Sequence, residues 1–266
     1  MKNSTKLLYI ASILIIINIV MYTTQWGGYQ ILQYVSDSLP IICSFIAILC
    51  LYGAYSSFKH FDFTKKVWLL LLIGIFMFFI AESSYAVLEI EYNLDMNTVF
   101  PTFADYIWCG GYLFIFIGLI MMFVGYTKSG FPMGNKKQYT ILAILLFIII
   151  SSVICFLLIP IIDDKRTALA AKIFYLLYPI ADSLVIIPAI ILMYITNLFG
   201  RQSISRPWRF LAISFILIAV ADLLYSFLSW QGIYGNGNLI DLGWNCGYLS
   251  AGLAGLYQKE LVESLN

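Results

Sequence analysis

The chain has 266 residues, 62% of them hydrophobic and only 11% charged, with a mean hydropathy of +0.91 and a formal net charge of +1. A soluble domain of this size has no means of burying that much apolar surface, so the solvent is a lipid bilayer. The near-zero net charge leaves no basic footprint for nucleic acid.

About 20 apolar residues span the hydrocarbon as a helix, and eight stretches qualify, at roughly 7–25, 38–58, 67–90, 103–127, 138–161, 170–199, 207–230 and 240–260. None alternates polar and apolar as a transmembrane strand does, so the expected fold class is an all-α polytopic membrane protein. The first stretch follows Lys2 and Lys6, as a signal peptide would. Its apolar core is long and no small-x-small cleavage site follows, so it is read as a retained helix. The second begins beside Asp37. The third carries Trp68 and Ala81-Glu82-Ser83-Ser84-Tyr85. Pro101 marks the turn before the fourth, which opens on Asp105-Tyr106-Ile107-Trp108-Cys109-Gly110-Gly111-Tyr112. The sixth contains Tyr178-Pro179-Ile180-Ala181-Asp182. Pro207 stands where a first helical position belongs in the seventh, which carries Trp208 and Ala221-Asp222-Leu223-Leu224-Tyr225. Gly232, Gly235, Asn236 and Gly237 mark the turn before the eighth, where Asp241, Trp244, Gly247 and Tyr248 lie. An amphipathic tail, Gln258 to Asn266, follows.

Lysine and arginine set the orientation. One side of the membrane holds 12 of them and the other only Lys165, Arg166 and Lys172, which places both termini in the cytoplasm of a cell-membrane protein.

The chain nearly repeats itself. Trp68, Glu82 and Tyr85 recur 140 positions later as Trp208, Asp222 and Tyr225. Asp105, Trp108 and Tyr112 recur 136 positions later as Asp241, Trp244 and Tyr248, and Asp37 recurs 145 positions later as Asp182. Four helices per repeat is an even number, so the expectation is a 4+4 parallel duplication, residues 1–130 and 131–266, within one membrane domain.

The repeat nominates a ligand site. Glu82 with Tyr85, and Asp222 with Tyr225, are three residues apart and share a helix face. Asp105, Trp108 and Tyr112 follow i, i+3, i+7, as do Asp241, Trp244 and Tyr248. Gly111 and Gly247 allow close helix approach. The expectation is that these faces meet within each half, with Asp37 and Asp182 nearby, as an acidic, aromatic-lined cavity open to the outside. Glu82 and Asp222 come out about 22 Å from the cytoplasmic side at 1.5 Å per residue. An acid at membrane depth costs about 2.5–3.5 kcal/mol on insertion scales. Two readings of that pair compete: a cation, proton or amine site, and an interhelical hydrogen-bond clamp. For Asp105 and Asp241 the competing reading is N-terminal helix stabilisation.

Several chemistries are discounted. His60 is the only histidine and falls in a cytoplasmic loop, which removes histidine-ligated haem and histidine-containing zinc sites from the bundle. No lysine lies deep in the seventh helix for a retinal Schiff base. There is no P-loop and no Gly-x-Ser-x-Gly. The five cysteines form no CxxC pair and read as small buried hydrophobes. No cofactor is expected. An all-carboxylate site favours a hard cation, and the metal, if one binds, stays unnamed.

The run Tyr178-Pro179-Ile180-Ala181-Asp182, Ala221-Asp222-Leu223-Leu224-Tyr225, Gly232-Ile233-Tyr234, Asp241…Trp244…Gly247-Tyr248 resembles the multi-helix membrane region at the N-terminus of many bacterial and archaeal signalling proteins. There it precedes diguanylate cyclase, phosphodiesterase or histidine kinase domains. The resemblance covers about residues 175–256, and the first half joins it through the repeat, with Glu82 in place of Asp and no Tyr-Pro. It implies a membrane sensor whose output is supplied by a cytoplasmic or membrane signalling partner, since no output domain is expected after the eighth helix. The alternative is a small ion- or proton-coupled transporter or channel using Glu82 and Asp222. An intramembrane enzyme ranks third.

Overall fold

The structure is a computed structural model that describes residues 3–96, 98–130, 132–198 and 202–265. Among these residues it is helical, without strands. The helices are α1 (Asn3–Thr24), α2 (Gly28–Ser57), α3 (Phe63–Glu91), α4 (Phe103–Lys128), α5 (Lys136–Asp163), α6 (Leu169–Asn197), α7 (Gln202–Trp230) and α8 (Asp241–Leu265). The last turn of α3, Val87–Glu91, widens to a π-helix, as does Ile154–Leu158 within α5. Seven helices, α1 to α7, are long and apolar enough to cross a membrane, and the chain is a multi-pass helical membrane protein. The eighth is long but less apolar. It is rich in small residues and packs against protein on several sides, with an unbroken buried run from Gly247 to Gly255.

Six helices close a ring. α2 packs on α3, α3 on α4, α4 on α6, α6 on α7, α7 on α8, and α8 back on α2. α1 lies outside the ring against α8, and Ser4 N–H donates to Glu260 Oε1 at 3.0 Å to hold the two together. α5 also lies outside, and its first 18 residues, Lys136–Val153, bury no side chain. It docks at its two ends: Tyr194 of α6 donates to Gln138 and meets the Tyr139 ring at 5.3 Å, and Leu157 and Ile161 pack on Ala171 and Tyr175 of α6.

Close helix crossings use the small residues. A Cβ on Gly111 of α4 would lie 2.9 Å from the Gly74 carbonyl of α3, and one on Gly247 of α8 would lie 3.2 Å from the Ser214 carbonyl of α7. Gly74 and Ser214 are 140 positions apart, Gly111 and Gly247 136. Trp68 and Trp208 meet across the ring at 5.8 Å between centroids, and both are buried. Leu71, Ile75, Ile115, Leu119, Leu211 and Phe215 belong to the same buried apolar cluster. This apolar plug lies toward the end of the ring where α3 begins, here the lower end.

Two boundaries differ from the sequence expectation. α2 starts at Gly28 rather than near residue 38. The polar positions Gln33, Ser36 and Asp37 are helical because the loop before α8 covers them: Gly237 N–H donates to Ser36 Oγ at 2.8 Å, and Ser36 Oγ also meets Tyr22 Oη at 3.2 Å. Pro207 is inside α7, not at its first position, with a turn of helix from Gln202 before it. At the turn between α5 and α6, the Asp164 carboxylate accepts from Arg166 N–H at 2.9 Å, Thr167 Oγ1 at 3.0 Å and Trp230 Nε1 at 3.0 Å. These donors, the Arg166 amide foremost, hold it well below the usual carboxylate range.

Candidate functional site

Above the apolar plug the ring opens into a cavity of about 90 Å³, several times the roughly 10–15 Å³ that a single water needs. Its walls carry five carboxylates, Asp37, Glu82, Asp105, Asp222 and Asp241, and nine aromatic rings. Among the described residues no lysine, arginine or histidine lines it. Eleven of the twelve residues nominated by the sequence line this one space. The twelfth, Asp182, reaches it through Tyr112.

The deep acids are joined crosswise. Tyr112 of α4 donates to Asp222 Oδ2 of α7 at 2.6 Å. Tyr248 of α8 donates to Glu82 Oε1 of α3. Each tyrosine therefore bonds the acid of the other half, whereas the spacing had suggested meetings within a half. Helical spacing tells which residues share a face but not which helix that face meets. The aromatic pairs do stay within a half: Tyr85 with Trp108 at 5.9 Å, and Tyr225 with Trp244 at 5.7 Å. Trp244 Nε1 also donates to Asp222 Oδ1 at 2.6 Å.

The Tyr112 hydroxyl lies 2.7 Å from Asp182 Oδ1 as well. A hydroxyl has one proton to give. Both contacts are hydrogen bonds only when one of the two acids brings a proton of its own, so the Asp182–Tyr112–Asp222 chain holds together with one carboxyl neutral. Asp182 is 4% exposed and its Oδ2 has no partner. A second ionised carboxylate there would be a buried charge without a counter-ion.

The upper acids divide into satisfied and unsatisfied. Asp105 closes a capping box at the start of α4, accepting from Thr102 N–H at 2.6 Å and Thr102 Oγ1 at 3.0 Å. It also accepts from Tyr178 of α6 at 2.6 Å. Helix capping is thus part of its role, as its position in the first turn suggested. Asp241 opens α8 and accepts from Tyr234 at 3.0 Å through Oδ1, while its Oδ2 is buried without a partner. Asp37 Oδ2 is likewise buried without a partner. Nine residues into α2, Asp37 is nonetheless level with the start of α8, because Gly237 is bonded to its neighbour Ser36.

Sequence reasoning missed three contributors. Tyr178 and Tyr234 each bond a cavity acid, and both lie in the motifs quoted above, where the acids drew the attention. Glu89, 7% exposed in the π-turn of α3, is the third. Its Oε1 accepts from Gln33 Nε2 of α2 at 3.2 Å and Asn236 Nδ2 of the α7–α8 loop at 2.6 Å. It ties three segments over the mouth, where a second polar recess shares Tyr85, Tyr234 and Asn236 with the main cavity. Its signal was an acid among apolar residues at a helix end.

Among the described residues no three histidine, cysteine, aspartate or glutamate side chains converge as a metal site. Cys43, Cys50, Cys109, Cys155 and Cys246 are all free thiols. No family model matches the chain, and neither a curated protein nor a solved structure does.

Proposed function

We propose that the chain is a membrane-embedded, receptor-like sensory module that binds a small ligand in the acidic, aromatic cavity and passes the event on to a signalling partner. In this reading it is a 4+4 parallel duplication with both termini in the cytoplasm, and the cavity opens to the outside. The observation that carries it is the crossed pair of bonds, Tyr112 to Asp222 and Tyr248 to Glu82. A ligand that competes for either acid changes a bond between the two halves, which is the coupling a receptor needs. The duplication draws support from contacts that recur at the repeat offset, Gly111 over Gly74 and Gly247 over Ser214.

The same cavity raises the transporter alternative. The buried Trp68–Trp208 pair beneath it argues for a closed receptor, since a conduit needs a polar path through that level. The test is a melting-temperature screen of purified protein against inorganic cations and amines, run on wild type and on the E82Q/D222N double variant. The expected result is a ligand that stabilises wild type and loses its effect in the variant. A double variant that responds like wild type would overturn the receptor reading. Proton or cation flux in proteoliposomes, abolished by the same pair of substitutions, would replace it with transport.

A further inference from the structure

We propose that the ligand is a small organic ammonium ion bearing N–H donors and an apolar body, with its nitrogen seated between Asp37 and Asp241. This rests on the reading of the cavity as a ligand site, and it names the chemical class that the walls select.

Charge comes first. Five carboxylates line the cavity and, among the described residues, no basic side chain faces them, so an occupant that adds positive charge is favoured over a neutral or anionic one.

Hydrogen-bond accounting then locates the charge. Asp105 is satisfied by Thr102 and Tyr178, Asp222 by Tyr112 and Trp244, and Glu82 accepts from Tyr248. Among the acids that line the cavity, the buried oxygens left without a partner are Asp37 Oδ2 and Asp241 Oδ2. Both residues line the cavity, and they are 6% and 2% exposed. A buried acceptor without a donor costs about 1–3 kcal/mol. A ligand N–H supplies both the missing donor and the missing charge.

The surroundings favour an organic body over a bare metal ion. No three ligating side chains converge among the described residues. Next to Asp241, the rings of Tyr234 and Tyr225 stand 4.8 Å apart, and Trp244 is 5.7 Å beyond Tyr225. Such ring faces attract a desolvated cation and pack against the carbon frame it carries.

The experiment uses the full chain in micelles, with 2-phenylethylamine as the probe, 2-phenylethanol as its neutral counterpart and potassium chloride as the inorganic cation. Binding is read by melting temperature and by calorimetry. The amine is expected to stabilise saturably and to bind at least tenfold more tightly than the alcohol, with no effect of potassium beyond ionic strength. D37N is expected to weaken the amine at least tenfold while keeping a cooperative melt. Should D37N fail to fold, the comparison of the three probes on wild type decides alone. Equal binding of the alcohol, an equal shift with potassium, or no shift with the amine would overturn the proposal. An alcohol that binds and loses its effect in E82Q/D222N would leave the receptor reading standing without the amine. An amine whose effect survives in E82Q/D222N would leave the seat standing and remove the coupling.

Discussion

Tyr112→Phe removes one hydroxyl and tests the carboxyl chain directly. The ring stays, so its edge contact with Phe78 at 5.0 Å is kept. Asp222 retains the Trp244 bond. Asp182 loses the bond at Oδ1, at 4% exposure and with Oδ2 already unpartnered. Leaving a buried polar group without a partner costs about 1–3 kcal/mol, while interhelical bonds in membrane proteins average about 0.6 kcal/mol. The expected loss for Y112F is therefore about 2 kcal/mol, toward the upper scale because a whole carboxyl is orphaned. The parallel substitution Tyr248→Phe uncovers Glu82, which is half-buried and borders the cavity, so its loss should fall near the lower scale, about 0.6 kcal/mol. Equilibrium unfolding in mixed micelles with increasing SDS, followed by fluorescence, measures both. In a double-mutant cycle, Y112F and D182N should couple by at least about 1 kcal/mol. Equal costs for the two tyrosines, or additivity of Y112F with D182N, would refute the shared-proton chain.

The α2–α8 crossing should tolerate a methyl group at one glycine and not at another. A Cβ on Gly255 would sit 2.7 Å from the backbone carbonyl carbon of Cys50, whereas one on Gly53 meets only Lys259 Cδ at 3.4 Å. G255A should lose about 1–3 kcal/mol from overpacking, and G53A should be neutral or gain up to about 1 kcal/mol from helix propensity, both read from melting temperature. At the α5–α6 turn, the folded state holds Asp164 below its unfolded value of about 3.9, so its contribution is present above that pH and is lost as pH falls below about 4. D164N should flatten the acid limb of the melting-temperature curve, and an unchanged limb would count against the role of the Arg166 and Trp230 donors.

Helix number and approximate position were legible because a bilayer demands long apolar runs and this chain supplies them with clear breaks. The start of α2 was not, since Gln33, Ser36 and Asp37 interrupt the apolar run by which a span is recognised, and their partners lie on other segments. The residues of the cavity were legible because acids, tyrosines and tryptophans kept register across the repeat. Their pairing was not. Tyr112 shares a face with Asp105, but which carboxylate its hydroxyl meets depends on the order of helices around the ring, a tertiary property that periodicity does not encode. Tyr178, Tyr234 and Glu89 were passed over for a related reason, since each acquires its role only from a partner on another helix.

The loosely packed first part of α5 has a consequence for how freely the chain varies. α4 and α6 stand side by side in the ring and start at the same end, so the chain must travel back from one to the other. α5 makes that return. Beyond Gln138 and Tyr139, which meet Tyr194, the stretch up to Val153 need only be helical, apolar and long enough, while ring positions such as Gly111, Gly255 and Trp68 are held to a shape. Substitutions among Ile, Leu, Val and Phe should therefore accumulate in α5 as if in a tether, and the same exchanges at the ring should be rare.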